Sequence, residues 1–165
     1  MDGVLADVYS QFIAMHENEY GYAITLTEVE GIPEADAFPG ILKHVNARGF
    51  FRHAPLINGC QEYLQRLNEK YKLFIVSAAM EFPLSLSEKQ LWLNEHFPFI
   101  TWKQMVFCGS KEIIKADIMI DDHFKNLDCF NGDTFLFTQP HNKLADPGKH
   151  RRVNTWDDIG KILLS

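Results

Sequence analysis

The sequence predicts an α/β protein, a doubly wound parallel sheet with a small helical cap insertion, and three observations predict it. Short continuous apolar runs at residues 72–77, 105–108, 118–120 and 134–138 have the look of strands buried on both faces. Amphipathic stretches separate them, so strand alternates with helix, the pattern that covers both faces of a parallel sheet. The stretch 21–54 does not alternate and is broken by Gly31, Pro33, Pro39 and Gly40. Residues 1–20 and 55–165 are therefore assigned to a core, and 21–54 to the cap.

The elements follow in order. Met1-Asp2-Gly3-Val4-Leu5-Ala6-Asp7 sets an acid before a glycine, as at a strand end where the backbone turns tightly beside a bound group. From Asp7, apolar Val8, Phe12, Ile13, Met15 and Tyr20 recur at helical spacing, and Gly21 is a stop. Ile41, Leu42 and Val45 form the clearest helical stripe of the insertion. Gly49, Phe50 and Phe51, then Ala54, Pro55 and Leu56, make an apolar connector. Asn58 is positioned to cap a helix carrying Tyr63, Leu64 and Leu67 and ending near Lys70.

The run 72–77 closes on the hydroxyl of Ser77, and Ala78 and Ala79 leave its exit uncrowded. Residues 87–97, with Leu91, Trp92 and Leu93, read as the next helix, before Pro98. The strand at 118–120 ends on Asp121-Asp122, and 156–164 closes the chain as a helix.

With 165 residues, 46% of them hydrophobic and 13% aromatic, the chain can bury one good core. A net charge of -6 supplies no basic field for a duplex nucleic acid, and the expected partner is a small molecule. Cys60, Cys108 and Cys129 are odd in number and form no CxxC pair, so they read as buried thiols of a reducing compartment. No apolar run approaches the ~20 residues of a membrane span, and no basic, apolar leader follows Met1. The expectation is a cytoplasmic monomer or homodimer.

Parallel sheets bind ligands at the carboxyl ends of their strands. Ser77 and Asp121-Asp122 fall at such ends, and Lys111 follows another within a few residues. Two carboxylates about 4 Å apart repel by roughly 4 kcal/mol at an effective dielectric near 20, so a cation is expected between them. Mg²⁺, which combines one or two carboxylates with waters and substrate phosphate, suits the pair best. Ser77 and Lys111 would then take phosphate oxygens. Singly, an Asp-Gly is a turn, an Asp-Asp a solvated loop, a lysine a surface group and a strand-end serine a cap; the ordered set carries the reading. Spacings of GxSxG, P-loop or zinc-ligand type are absent.

Taken in order, these residues resemble the haloacid dehalogenase-like phosphatases, and within them the 5′(3′)-deoxyribonucleotidases. That family opens with Asp-x-Asp-Gly-Val-Leu-Ala-Asp, which this chain matches from Met1 to Asp7. The likeness continues through Gly-Phe-Phe at 49–51, Pro55-Leu56 and Gly59, Ile120-Asp121-Asp122, His141-Asn142, Arg152 and Trp156.

The resemblance implies a Mg²⁺-dependent phosphomonoester hydrolase that acts on (deoxy)nucleoside monophosphates through an aspartyl-phosphate. It implies Asp2 as the acid that protonates the leaving sugar oxygen and then, as base, activates water, with its backbone carbonyl on the metal. Asp122 is implied as the direct metal carboxylate and Asp121 as one acting through water. Ser77 and Lys111 are implied to bind phosphate, and Phe50 and Phe51 to form the cap's base-stacking wall. The nucleophilic Asp and the strand leading into it are expected immediately before Met1, outside this sequence. Ala78 and Gly109 replace a hydroxyl and an arginine of mammalian relatives, which bears on substrate preference.

Three rivals stand beside this reading. A receiver domain uses similar residues, but its acidic pair comes near the start, whereas here it follows Ser77 and Lys111. A phosphatase of a sugar phosphate or other small phosphomonoester keeps the fold and changes the substrate. An inactive binding protein would follow if the nucleophile were lacking. His123, His141 and the other histidines read as surface or supporting groups.

Overall fold

Helix α1 (Val8–Tyr20) begins where the Asp7 carboxylate accepts hydrogen bonds from the Ser10 amide (3.0 Å) and hydroxyl (2.6 Å), an N-cap that occupies otherwise unpaired donors. In the computed structural model, which describes residues 1–165, it ends at Gly21 as the sequence predicts. The insertion then forms a 3₁₀ turn (Leu26–Val29) and two short helices, α2 (Glu34–Ala37) and α3 (Ile41–Val45). Its buried Val29, Phe38 and Val45 belong to the same hydrophobic cluster as Tyr9, Trp92 and Trp156. The insertion therefore shares the main core instead of building its own.

Helix α4 (Cys60–Lys70) starts at Gly59, not under an Asn58 cap; Gly59 takes φ +80°, where a residue with a Cβ is strained, and no side chain caps the helix. Strand β1 (Ile75–Ser77) is shorter than the apolar run, because its parallel partner β2 (Met105–Phe107) pairs with those three residues only. Between them α5 (Pro83–His96) begins at Pro83, whose fixed φ suits a first helical turn, earlier than the predicted 87.

Strand β3 (Ile118–Asp121) carries the acidic pair at its end, followed by the short helix α6 (Phe124–Leu127), β4 (Asp133–Phe137) and β5 (Arg151–Val153). Strand β5 escaped the sequence reading because Arg-Arg-Val is a short, charged edge, which is how sheets blunt an exposed margin. Helix α7 (Trp156–Leu163) opens with a reciprocal capping box between Thr155 and Asp158. Gly160 on α7 lets the Tyr63 ring of α4 lie against its backbone, since a Cβ there would stand 2.2 Å from the ring.

Every strand pairing is parallel, as predicted, but the expected continuous sheet is interrupted. Strands β1 and β2 form one sheet and β3, β4 and β5 another. Strand β1 pairs only with β2, and β3 on one side only with β4, so each keeps one free edge. Both edges border a cavity of about 450 Å³ lined mostly by apolar side chains, among them Met1, Leu67, Ile75, Val76, Ile118 and Ile120.

The opening turn sits at this divide. Trp156 Nε1 donates to the Val4 carbonyl (2.8 Å), which ties α7 to the turn. Cys60 and Cys108 are buried, but Cys129 is exposed, because it falls in the loop between α6 and β4. No helix is long and apolar enough to cross a membrane.

Candidate active site

The residues 1–7 fold into a tight turn, with the Leu5 amide on the Met1 carbonyl (2.8 Å) and the Gly3 amide on the Ala6 carbonyl (2.9 Å). Gly3 adopts φ +66°, and a Cβ on it would fall 2.2 Å from Asp122 Oδ2. A glycine is thus required both by the turn and by the close approach of the acidic strand end. Gln139 Nε2 donates to the Gly3 carbonyl (2.6 Å) and fixes the turn from the other side.

Around this turn the structure gathers residues far apart in sequence. Ser77, at the end of β1 and buried, donates through Oγ to Asp2 Oδ2 at 3.3 Å. Lys111, in a 3₁₀ turn after β2, donates to Asp121 Oδ2 at 2.5 Å. Asp121 Oδ1 also accepts from the His123 amide (3.0 Å) and Asn126 Nδ2 (2.8 Å), so its carboxylate is fully engaged. Burial opposes charge on both Lys111 and Asp121, yet their mutual attraction outweighs it: the lysine is held above its usual pKa and the aspartate below.

Asp122 differs from its neighbour. It is buried, and the nearest nitrogens, His123 Nε2 at 3.7 Å and His141 Nε2 at 3.9 Å, lie beyond hydrogen-bond reach of its Oδ2. Burial, and then the charge of Asp121, pushes its pKa up despite both histidines. Its backbone is pinned instead, by Asn142 Nδ2 on its carbonyl at 2.8 Å, with Asn142 in turn held by Arg152 Nη1 at 3.0 Å.

Asp2 Oδ1 is buried with no hydrogen-bond partner. An uncompensated carboxylate and an orphaned carboxylate oxygen beside the same glycine form an oxygen-rich pocket that fits a hard divalent cation. A second donor group, Glu34, Asp122, His123 and His141, has its ligand atoms within 4.8 Å of one another. In it, His141 is already engaged, Nδ1 with the Tyr9 hydroxyl (3.1 Å) and Nε2 with the Asp122 carbonyl (3.0 Å).

Glu34 is the insertion's contribution here, and sequence reading missed it because nothing in Pro-Glu-Ala-Asp marks the glutamate as inward-facing. Burial first, then the charge of Asp122, pushes its pKa up to about 7, with Asp2 adding to the effect and His123 and Lys125 opposing it. A carboxyl whose pKa is higher in the folded than in the unfolded chain costs stability as pH rises from its unfolded pKa to its folded one, and the loss then levels off. Glu34→Gln is therefore expected to gain in melting temperature relative to wild type between about pH 4.5 and about pH 7 in metal-free buffer. His141, whose pKa burial lowers, acts in the opposite sense. A difference that is flat or shrinks with pH contradicts the assignment.

Phe50 and Phe51 do not form the open wall expected of them. They are 1% and 6% exposed, Phe50 packed on Phe12 at 4.8 Å and both part of the main core. Apolar rings on a short connector bury themselves before they serve a ligand. Phe50→Ala is expected to cost about 3 to 5 kcal/mol of stability and to lower turnover of nucleotide and aryl phosphates alike. A selective rise in KM for nucleotides with stability intact would restore the stacking role.

The structure also adds Lys89, which sequence reading took as one more polar helix residue. Its signal was position: it falls in register with Ser85, Trp92 and Leu93, the buried face of α5. Its ammonium donates to Asp2 Oδ2 at 2.7 Å. Burial alone would raise the Asp2 pKa, but the charges of Lys89 and the Met1 amine and the Lys89 hydrogen bond hold it below the usual value.

Comparison with known proteins covers nearly the whole chain. The sequence matches the family described as 5′ nucleotidase, deoxy (Pyrimidine), cytosolic type C protein over residues 1–165. A protein of Staphylococcus aureus (strain Mu50 / ATCC 700699) is 38% identical over 170 residues, 99% of this chain and 92% of that protein. The 5′(3′)-deoxyribonucleotidase of Bacillus subtilis (strain 168) is 37% identical over 174 residues, 99% of this chain and 95% of its own, and the protein of the same name from Bacillus phage SPbeta has the same values.

Proposed function

The chain belongs to the family of 5′ nucleotidase, deoxy (Pyrimidine), cytosolic type C proteins, phosphoric monoester hydrolases of the 5′-nucleotidase type, and from that premise we propose that it removes phosphate from deoxynucleoside monophosphates with the help of Mg²⁺. The observation that carries the reading is the convergence of Asp2, Ser77 and Asp122, with Ser77 Oγ 3.3 Å from Asp2 and Asp122 against Gly3.

Asp122 and the Asp2 backbone carbonyl would hold the metal, with Asp121 acting through water, and the bound ion would neutralise phosphate charge. Ser77 donates a hydrogen bond to a phosphate oxygen, and Lys111, kept charged by Asp121, supplies positive charge beside it. The Asp2 carboxylate, whose proton affinity a phosphate bound beside it raises, takes up a proton from solvent and gives it to the sugar oxygen as the phosphorus–oxygen bond breaks. It then takes a proton from the water that attacks phosphorus, and inorganic phosphate leaves.

The first bond to phosphorus would be made by a carboxylate nucleophile, giving an aspartyl-phosphate. Beside the site, two free parallel edges and an apolar lining fit an extended segment of about five residues. Residues 21–54 act as the helical cap over the site, and the folded unit works in the cytoplasm as a monomer or homodimer.

A panel of deoxynucleoside 5′- and 3′-monophosphates, ribonucleotides and sugar phosphates tests the substrate class. The highest kcat/KM is expected for a deoxynucleotide. A sugar phosphate turned over faster than every nucleotide contradicts the proposal.

A further inference from the structure

Helix α5 buries a single charged side chain. Lys89 is 3% exposed, and its ammonium has three neighbours: Asp2 Oδ2 at 2.7 Å, Ser77 Oγ at 3.2 Å, and the centroid of the Phe51 ring at 4.1 Å. A buried ammonium is tolerated only when paired and hydrogen-bonded, so lysine and aspartate hold each other in the site.

The arrangement has a consequence for an anion. A phosphate reaching Ser77 arrives beside the Asp2 carboxylate, which repels it. Lys111 cannot cancel that charge alone, because it is also paired with Asp121 at 2.5 Å. Lys89 can, and by donating to Ser77 Oγ it leaves the hydroxyl proton free to turn from Asp2 toward a phosphate oxygen.

We propose that Lys89 is a positioning residue: it holds the Asp2 carboxylate and the Ser77 hydroxyl in one geometry and cancels the charge that Asp2 presents to an incoming phosphate. The inference rests on the proposed phosphatase reading and assigns it a residue outside the motif set. Phe51 belongs to the same device, its ring face lying 4.1 Å from the ammonium and closing the lysine from solvent.

The test is a double-variant cycle on the full chain, read by calorimetric titration with inorganic phosphate in the presence of Mg²⁺ and by thermal melting. Lys89→Met is expected to weaken phosphate binding by about tenfold or more and to lower the melting temperature, because it strands a half-buried carboxylate whose Oδ1 already has no partner. Adding Asp2→Asn to Lys89→Met is expected to restore both, phosphate affinity to within about threefold of Asp2→Asn alone. Lys89→Gln, which retains a donor, guards against a variant that fails to fold and is expected to fall between.

Unchanged phosphate affinity in Lys89→Met overturns the proposal. So does a loss that persists in the double variant, which would make the lysine a direct phosphate ligand or a packing residue. If the wild type binds no phosphate although melting still couples Lys89 to Asp2, the phosphatase reading fails and the ion pair stands as structure. If melting shows no coupling, the positioning role fails whatever the phosphate result.

Discussion

Extending the chain ahead of Met1 by an apolar strand of about five residues is expected to raise its melting temperature by roughly 10 °C. The groove between β1 and β3 is the reason. Both strands present a free parallel edge to it, and its walls are apolar. Each buried backbone group left without a partner costs about 1 to 3 kcal/mol, and a strand of this length would pair several. At about 2 to 4 °C per kcal/mol for a domain of this size, three or four such gains reach the expected rise. Amide exchange at Ile75, Val76, Ile118 and Ile120 should slow in the extended chain. An unchanged melting temperature with no new protection at those amides would mean that the groove is simply a cleft between two finished sheets.

Replacing the two acids beside Gly3 is expected to separate metal binding from proton transfer. Asp122→Ala should abolish measurable Mg²⁺ binding, since it removes the one buried carboxylate at the site with no strong cationic partner. Asp2→Asn keeps its backbone carbonyl and should retain Mg²⁺, while kcat falls by about 10² to 10⁴ through loss of the acid and base. Equal Mg²⁺ affinity in wild type and Asp122→Ala, by calorimetry, removes the metal assignment.

The sequence made the architecture legible where one physical signal dominated. Continuous apolar runs located β1 to β4 because a parallel strand buries both faces, and Asp7 with Gly21 bracketed α1 because caps are local chemistry. Strand β5 was illegible because an edge strand needs little apolar character. The cap of α4 was misread because Asn58 and Gly59 both suit a helix start, and only the backbone angle distinguishes them.

The candidate site was legible as motifs and illegible as contacts. Asp2, Ser77, Lys111, Asp121 and Asp122 are gathered around the opening turn, where the ends of β1 and β3 face each other from two sheets. That Asp121 is spent on Lys111, Asn126 and the His123 amide, leaving Asp122 uncompensated, depends on distances that no spacing encodes. Lys89 and Glu34 reach the site from a helix and from the insertion, each by one inward-pointing side chain. Phe50 and Phe51 erred in the other direction: aromatic pairs in sequence favour a ligand wall and a packed core equally, and burial decides for the core.

The central claim is that the opening turn carries a metal-dependent phosphomonoesterase site with Asp2 as its proton carrier. The most direct test is the initial rate of phosphate release from a deoxynucleoside 5′-monophosphate by the protein, measured with Mg²⁺, after chelation, and in Asp2→Asn. Turnover that needs Mg²⁺, stops on chelation and falls by at least about a hundredfold in Asp2→Asn is the predicted result. Turnover that persists under chelation, or survives the loss of the Asp2 carboxyl, would contradict it.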